Sequence, residues 1–239
     1  MLGVRALSLR YPNGKLALTD FNLSVAAGEF VVVLGGNGSG KTTLLRSITR
    51  TVKPSTGEVW LDGIDLCTLE GEKLRRARLA LAMVWQHASL VKRRSVLANV
   101  ATGTLGRHYT LRTVFGGLPT SQLEAARGHL AEVGLAHLAE QRAGTLSGGQ
   151  AQRVAIARAL AQRPRVLLAD EPVASLMRLL QRLARSENIA VICVLHQVEL
   201  AFSYADRVVG IRNGRVVFDL PREEVPRDAV HRLYLPEAA

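Results

Sequence analysis

Cysteine is scarce in this sequence. There are two among 239 residues, Cys67 and Cys193, far apart and outside any CxxC spacing. That scarcity excludes a disulfide framework and a cysteine-based zinc site, and a reducing, cytosolic setting is the natural inference. Cys193 lies in the apolar run IAVICVL, where it is expected to pack as a small hydrophobe. Long apolar runs are missing too: FVVVL and IAVICVL fall far short of the ~20 residues a membrane helix needs. Any work at a membrane therefore requires another subunit to cross it. The opening MLGVRALSLRYPNG alternates and then turns, so it is not expected to act as a signal peptide. No internal repeat, low-complexity segment or heptad run is present.

Acidic residues are the minority charge, 20 against 31 basic, giving a net charge of +11 and a pI near 10.6. This balance suits polyanionic partners: nucleotide phosphates, nucleic acid or an anionic membrane surface. It equally suits arginine on solvated helix faces, as in EKLRRAR. Hydrophobic residues at 48% allow a substantial core, and charged residues at 21% argue against a disordered chain. The length fits one large domain or a domain with a sizeable insertion.

Patterning divides the chain. VRALSLRY and FNLSV alternate as strands, and PNG marks a turn. EFVVVLGG is a continuous apolar run ending in glycines, the signature of a buried strand in an α/β sheet. KTTLLRSITR reads as a helix, EVWLDG as a strand, GEKLRRARL as a helix and LAMVWQ as a second buried strand. Residues 93–163 carry helical periodicity in SVLANVATGTL, SQLEAARGHLAEVG and GGQAQRVAIARALAQ, with no convincing strand. Strands resume with RVLLA and IAVICVL, and RVVGIR and RVVFDL flank the hairpin signal Asn213-Gly214. The expected organisation is a single domain over 1–239. It has an α/β core at 1–92 and 164–220, a helical subdomain at 93–163, and a tail at 221–239 with one helix through HRLYL.

GGNGSGKT at 35–42 fulfils G-x-x-x-x-G-K-[ST] completely. Gly35, Gly36, Gly38 and Gly40, with Asn37 and Ser39, let the backbone wrap phosphates with N–H groups inward. Lys41 can reach the β- and γ-phosphates, Thr42 can bind Mg²⁺, and Thr43 continues the helix whose positive end faces the anion. A buried strand before the loop and an amphipathic helix after it strengthen the match. RVLLADE supplies a complementary acidic pair: Asp170, ending a strand, suits Mg²⁺, and Glu171 suits orienting an attacking water. In LSGGQ at 146–150, residues Ser147, Gly148 and Gly149 form an exposed first turn of a helix, flanked by Leu146 and Gln150. That turn is a second anion site. Two phosphate half-sites on different subdomains suggest head-to-tail pairing of two copies.

Taken together, GGNGSGKT, LSGGQ and LLADEP resemble the nucleotide-binding subunit of ABC transporters, over nearly the whole chain. The resemblance implies a P-loop NTPase cassette of α/β class, with a mixed sheet core, an N-terminal antiparallel β region and an inserted helical subdomain. It implies ATP and Mg²⁺ as cofactors. Tyr11 matches an aromatic that stacks on adenine, although a strand-end aromatic packed in the core fits the same sequence. Gln86 matches a glutamine that reaches Mg²⁺ and the attacking water, and the segment after it would face the membrane subunit. His196 matches a histidine that contacts the γ-phosphate and, with Glu171 and Gln86, completes the catalytic set. Implied partners are a second ATPase subunit, transmembrane permease subunits and, indirectly, a solute-binding protein. No nucleic acid is expected. The implied place is the cytoplasmic face of a cell membrane, peripherally bound.

LGRHYTLRTVFGGLP, QRAGTLSGGQAQRVAIARALAQRP, ADEPVASL and LHQVELA are most similar to the ATPase of phosphonate importers. Import of phosphate or another small polar solute stays open, and so does a soluble ABC ATPase acting on nucleic acid. One departure stands out. In the family an Asp follows the Leu of EPVASL and precedes a longer helix, whereas here Met177 follows Leu176. The resemblance implies a gap of about two helical turns, roughly 11 Å of helix. Leu176, Leu179, Leu180 and Leu183 still form one apolar face, and Asn188 offers a helix end. The sheet is therefore expected to form, with hydrolysis or coupling between two sites weakened.

Overall fold

A computed structural model describes residues 1–107 and 119–235. Most of LGRHYTLRTVFGGLP and the last four residues of the tail lie outside them. Strands β1 (Leu2–Arg10), β2 (Leu16–Val25), β4 (Thr56–Leu61) and β5 (Ile64–Asp65) form an antiparallel sheet ordered β2-β1-β4-β5. A second, mixed sheet runs β10-β9-β3-β8-β7-β6. Its members are β3 (Phe30–Leu34), β6 (Leu81–Val84), β7 (Val166–Asp170), β8 (Ala190–Leu195), β9 (Arg207–Arg212) and β10 (Arg215–Pro221). Every neighbour pair in it is parallel except β9 and β10. Those two are joined at Asn213 and Gly214, both with φ > 0 (50° and 74°), as a two-residue hairpin requires. A Cβ on Gly214 would stand 2.6 Å from the Ala17 carbonyl, so close approach as well as the turn demands glycine there.

The continuous apolar runs of β3, β7 and β8 follow from burial on both faces. Phe30, Val32, Leu34, Leu167, Ala169, Val191, Cys193 and Leu195 point into one core. Val31, Val33, Val166, Leu168, Ala190, Ile192 and Val194 point into the other. Each large side chain removed from water contributes roughly 1.5–3 kcal/mol, so an unbroken apolar strand is stable only between two layers. One layer is the antiparallel sheet with helix α1 (Lys41–Ile48), through Leu44, Leu45 and Ile48. Helix α2 (Gly71–Arg78) is amphiphilic and lies outside, with Arg75 and Arg76 on Glu72. Cys193 is fully buried, as its apolar run predicts, and burial pushes its thiol upward.

The other layer is helical. Between residues 93 and 163 the described residues hold α3 (Val96–Ala101), α4 (Thr120–Glu132) and α5 (Gly148–Ala161), packed on one another, and contribute no strand to either sheet. Helix α6 (Ala174–Ser186) crosses from β7 to β8, which pair in parallel, so this connection does close the sheet. Leu176, Leu179, Leu180 and Leu183 are buried as the periodicity predicts, and Met177 joins them at 0% exposure. Asn188 ends the helix with φ 50°, and Ile189 N donates to Ala184 O at 3.1 Å, the closing bond of a Schellman motif. Helices α7 (Val198–Tyr204) and α8 (Arg227–Arg232) complete the chain. The tail helix is shorter than HRLYL suggests. It stops at Arg232 because Leu233 turns into the core and the Tyr234 hydroxyl donates to His196 O at 3.2 Å.

Candidate functional site

Strand order does the assembling. β3, β8, β7 and β6 lie side by side and run the same way. Their carboxyl ends therefore deliver the phosphate loop, His196, Asp170 with Glu171, and Gln86 to one edge. Ligands of open α/β sheets bind at that edge.

The phosphate loop turns sharply out of β3. Gly38 and Gly40 have φ 75° and 107°, a region side chains avoid. A Cβ on Gly40 would also stand 2.5 Å from Ala17 O. Gly36 is half-buried and Asn37 exposed. Lys41 is only 5% exposed, and its Nζ donates to Gly35 O at 2.7 Å and Gly36 O at 2.9 Å and lies 3.5 Å from His196 Nδ1. Burial lowers its pKa, while the charges of Glu171 and Asp170 push it back up. Thr42 Oγ1 donates to Asp170 Oδ1 at 3.3 Å. Asp170 is 9% exposed. Burial raises its pKa first and the Glu171 charge second, against the Thr42 hydrogen bond.

Glu171 occupies a left-handed conformation, φ 51°, pinned by its N–H to Val194 O at 3.1 Å. Such a conformation costs of order 1–3 kcal/mol and is found where a side chain must be aimed. Its carboxylate pairs with His196 Nε2 and accepts from Gln86 Nε2 at 3.1 Å. Glu171, Gln86 and His196 thus form one cluster, from three strand ends, beside Lys41.

The loop, Thr42, Thr43, Glu171 and His196 line a cleft of about 240 Å³, together with Tyr11 and Lys15. The Tyr11 hydroxyl is 3.1 Å from Thr43 Oγ1. Its ring is half-buried, on the cleft wall and also against the core. Ser39 Oγ is buried without a protein partner.

None of residues 146–150 lines that cleft. Ser147 caps α5, accepting from Gln150 N at 3.3 Å while Ser147 N donates to Gln150 Oε1 at 2.9 Å, a capping box. Ser147 and Gly148 are exposed and Gly149 half-buried, and space is open above both glycines. Leu146, Gly148 and Gly149 instead border a second cleft of about 780 Å³ that reaches Gln86 and Glu171. The LSGGQ turn and the phosphate loop thus border different clefts, with Glu171 lining both.

Sequence reading missed three participants. Gln152 is buried and its side chain bonds Gln86 O and Val173 N. Arg158 donates to Ser89 O and Ala88 O, both at 2.9 Å, and fixes the segment after Gln86. Lys15 lines the phosphate cleft. The sequence after LSGGQ offered no signal for the first two, because their partners lie 21 to 70 residues away.

Fold and site together define a P-loop nucleotide-binding cassette: an α/β core carrying the phosphate loop and acidic pair, with a helical layer carrying the exposed LSGGQ turn. The chain belongs to the ABC transporter family, whose model matches residues 18–174. It is 45% identical to the phosphonates import ATP-binding protein PhnC of Shouchella clausii, over 98% of this chain and 91% of that protein. It is 46% identical to the phosphite import ATP-binding protein PxtA of Stutzerimonas stutzeri, over 98% and 87%. Among solved structures it is similar to the cassette cbiO1 from Clostridium perfringens, part of the ABC transporter complex cbiONQ (TM-score 0.82, 29% identity, covering 97% and 92%). It is also similar to the dimeric post-hydrolysis state of the cassette MJ0796 bound to ADP and Pi (TM-score 0.80, 31% identity, covering 93% and 99%). No helix among the described residues is long and apolar enough to cross a membrane.

Proposed function

We propose that this chain is the ATP-hydrolysing subunit of an importer whose cargo is a phosphonate, bound peripherally at the cytoplasmic face of the membrane through permease subunits. The observation that carries the ATPase reading is the convergence of Lys41, Thr42, Asp170, Glu171, Gln86 and His196 at adjacent strand ends. The relatives' names support the cargo, and phosphate or another small polar solute is the alternative. Residues 93–163 act as the helical subdomain and 1–92 with 164–220 as the core.

The site's donors fit the groups they are asked to hold. The Thr42 and Asp170 oxygens, 3.3 Å apart, are the hard ligands Mg²⁺ takes, and Mg²⁺ uses few protein ligands where phosphates supply the rest. The buried, unpartnered Ser39 hydroxyl and the left-handed Gly38 and Gly40 suit a polyanion. Mg²⁺, when bound, neutralises charge that develops on the transferring phosphoryl group. Lys41 holds phosphate oxygens as a buried cation. Glu171 accepts a proton from, or orients, the attacking water; Gln86 and His196 hold its carboxylate in place. Tyr11 closes the adenine end. Ser147 and Gly149 of a second copy face the nucleotide from across a homodimer. Purified protein is expected to hydrolyse ATP and Lys41→Ala to lose at least roughly 100-fold of that activity. Equal rates would overturn the assignment.

A second reading has one specific observation behind it. Residue 177, where the family places an acid, is a methionine buried in α6, so no carboxylate projects after Leu176. Coupling between two sites is then weakened although the Mg²⁺ and water ligands are intact. Inserting an Asp-containing loop of two helical turns after Leu176 is expected to raise ATPase rate or its cooperativity. An unchanged rate and unchanged transport would remove this reading.

A further inference from the structure

Gln152 lies one turn inside α5, the helix that Ser147 caps, and is 6% exposed. Its amide uses both ends. Nε2 donates to Gln86 O at 2.8 Å, and Oε1 accepts from Val173 N at 3.1 Å. Donor and acceptor are matched to opposite partners, so the amide has one orientation. The two backbone groups it grips flank the two polar side chains beside the phosphate loop. Gln86 itself donates to Glu171, and Val173 follows Glu171 by two residues. Neither of those peptide groups belongs to α5, so Gln152 is a direct bridge between this helix and the ends of β6 and β7.

We propose that Gln152 is a positioning residue that makes the anion-facing turn at Ser147 and the Gln86–Glu171 pair move as one body. A load on the Ser147 turn is thereby felt at the hydrolytic cluster of the same chain. The inference rests on the ATPase reading above. Buried polar bridges of this kind act through placement, and a displacement of about 1 Å at a reacting group costs roughly 100-fold in rate.

The test uses the full chain. Gln152→Met keeps the volume and removes both bonds. It is expected to lower kcat roughly 10- to 100-fold while the Kd for a non-hydrolysable ATP analogue stays unchanged, since Lys41 and the loop are untouched. On a Gln86→Ala background the same substitution is expected to cost less than in the wild-type chain, because the bond to Gln86 O then positions no amide side chain and only the bond to Val173 N still matters. Gln152→Glu, closest in shape, keeps the question open to measurement even if the Met variant folds poorly. A neutral carboxyl donates to Gln86 O and an ionised one cannot, so its kcat relative to wild type is expected to fall as pH rises. A purely structural role predicts a pH-independent ratio. An unchanged kcat in Gln152→Met, a parallel loss of analogue affinity, undiminished loss on the Gln86→Ala background, or a flat ratio for Gln152→Glu each overturns the proposal. A wild-type protein without ATPase activity would instead overturn the reading beneath it.

Discussion

At the scale of single residues the site is a balance of buried charges. Asp170 is disfavoured as an anion by burial and then by Glu171, and held toward ionisation by Thr42. Its folded pKa lies above its unfolded one, so the folded chain keeps that proton to higher pH. The group's contribution to stability is therefore greatest below the ordinary carboxylate range and is lost as pH rises through the raised value. Asp170→Asn is expected to flatten this dependence in thermal melts while removing Mg²⁺-dependent hydrolysis; an unaltered pH dependence would contradict the assignment. Glu171→Gln is expected to reduce kcat by about 10²- to 10⁴-fold and to retain nucleotide binding. It removes the charge beside Asp170, so the Asp170 midpoint, followed by carboxyl NMR, should move down; an upward or absent shift would contradict the account. Residues 35–42 were legible in the sequence because the turn they make is local, set by the positive φ of Gly38 and Gly40. Gln152 and Tyr234 were not, because their partners are carbonyls and amides brought in from distant strands. A sequence shows which side chains can bond but not which peptide groups face them.

At the scale of elements, α6 is a short crossover that still closes the sheet. Thirteen helical residues rise about 20 Å, enough to return from the end of β7 to the start of β8. The apolar face of Leu176, Leu179, Leu180 and Leu183 predicted this packing correctly, since burial follows the helical period. The burial of Met177 did not follow from that face alone. A helix lying against a sheet covers a wider stripe than a strict i, i+3, i+4 pattern marks, and Met fills the margin. Leu180→Ala is expected to cost about 2–5 kcal/mol in denaturant unfolding. Asn188 already sits at φ 50°, so Asn188→Gly should change stability by only a few tenths of a kcal/mol, about the C-cap difference. Asn188→Val should cost about 1–2 kcal/mol. Equal effects of the two substitutions would mean the helix end is not set by that conformation.

At the scale of the molecule, the +11 charge is spread among structural roles as well as the phosphate cleft. Arg207 pairs with Glu29 and Asp219, Arg75 and Arg76 with Glu72, and Arg158 binds carbonyls beside Gln86. In the proposed homodimer, the Ser147 turn of one copy would face the cleft beside Lys41 of the other. The most direct measurement is ATP-dependent uptake of a labelled phosphonate by cells whose only cassette for the matching permease is this chain, compared with Lys41→Ala. The account predicts uptake above the cassette-free strain with the wild-type chain and none with Lys41→Ala. Equal uptake with and without the lysine, or no phosphonate uptake by the wild-type chain, would contradict it.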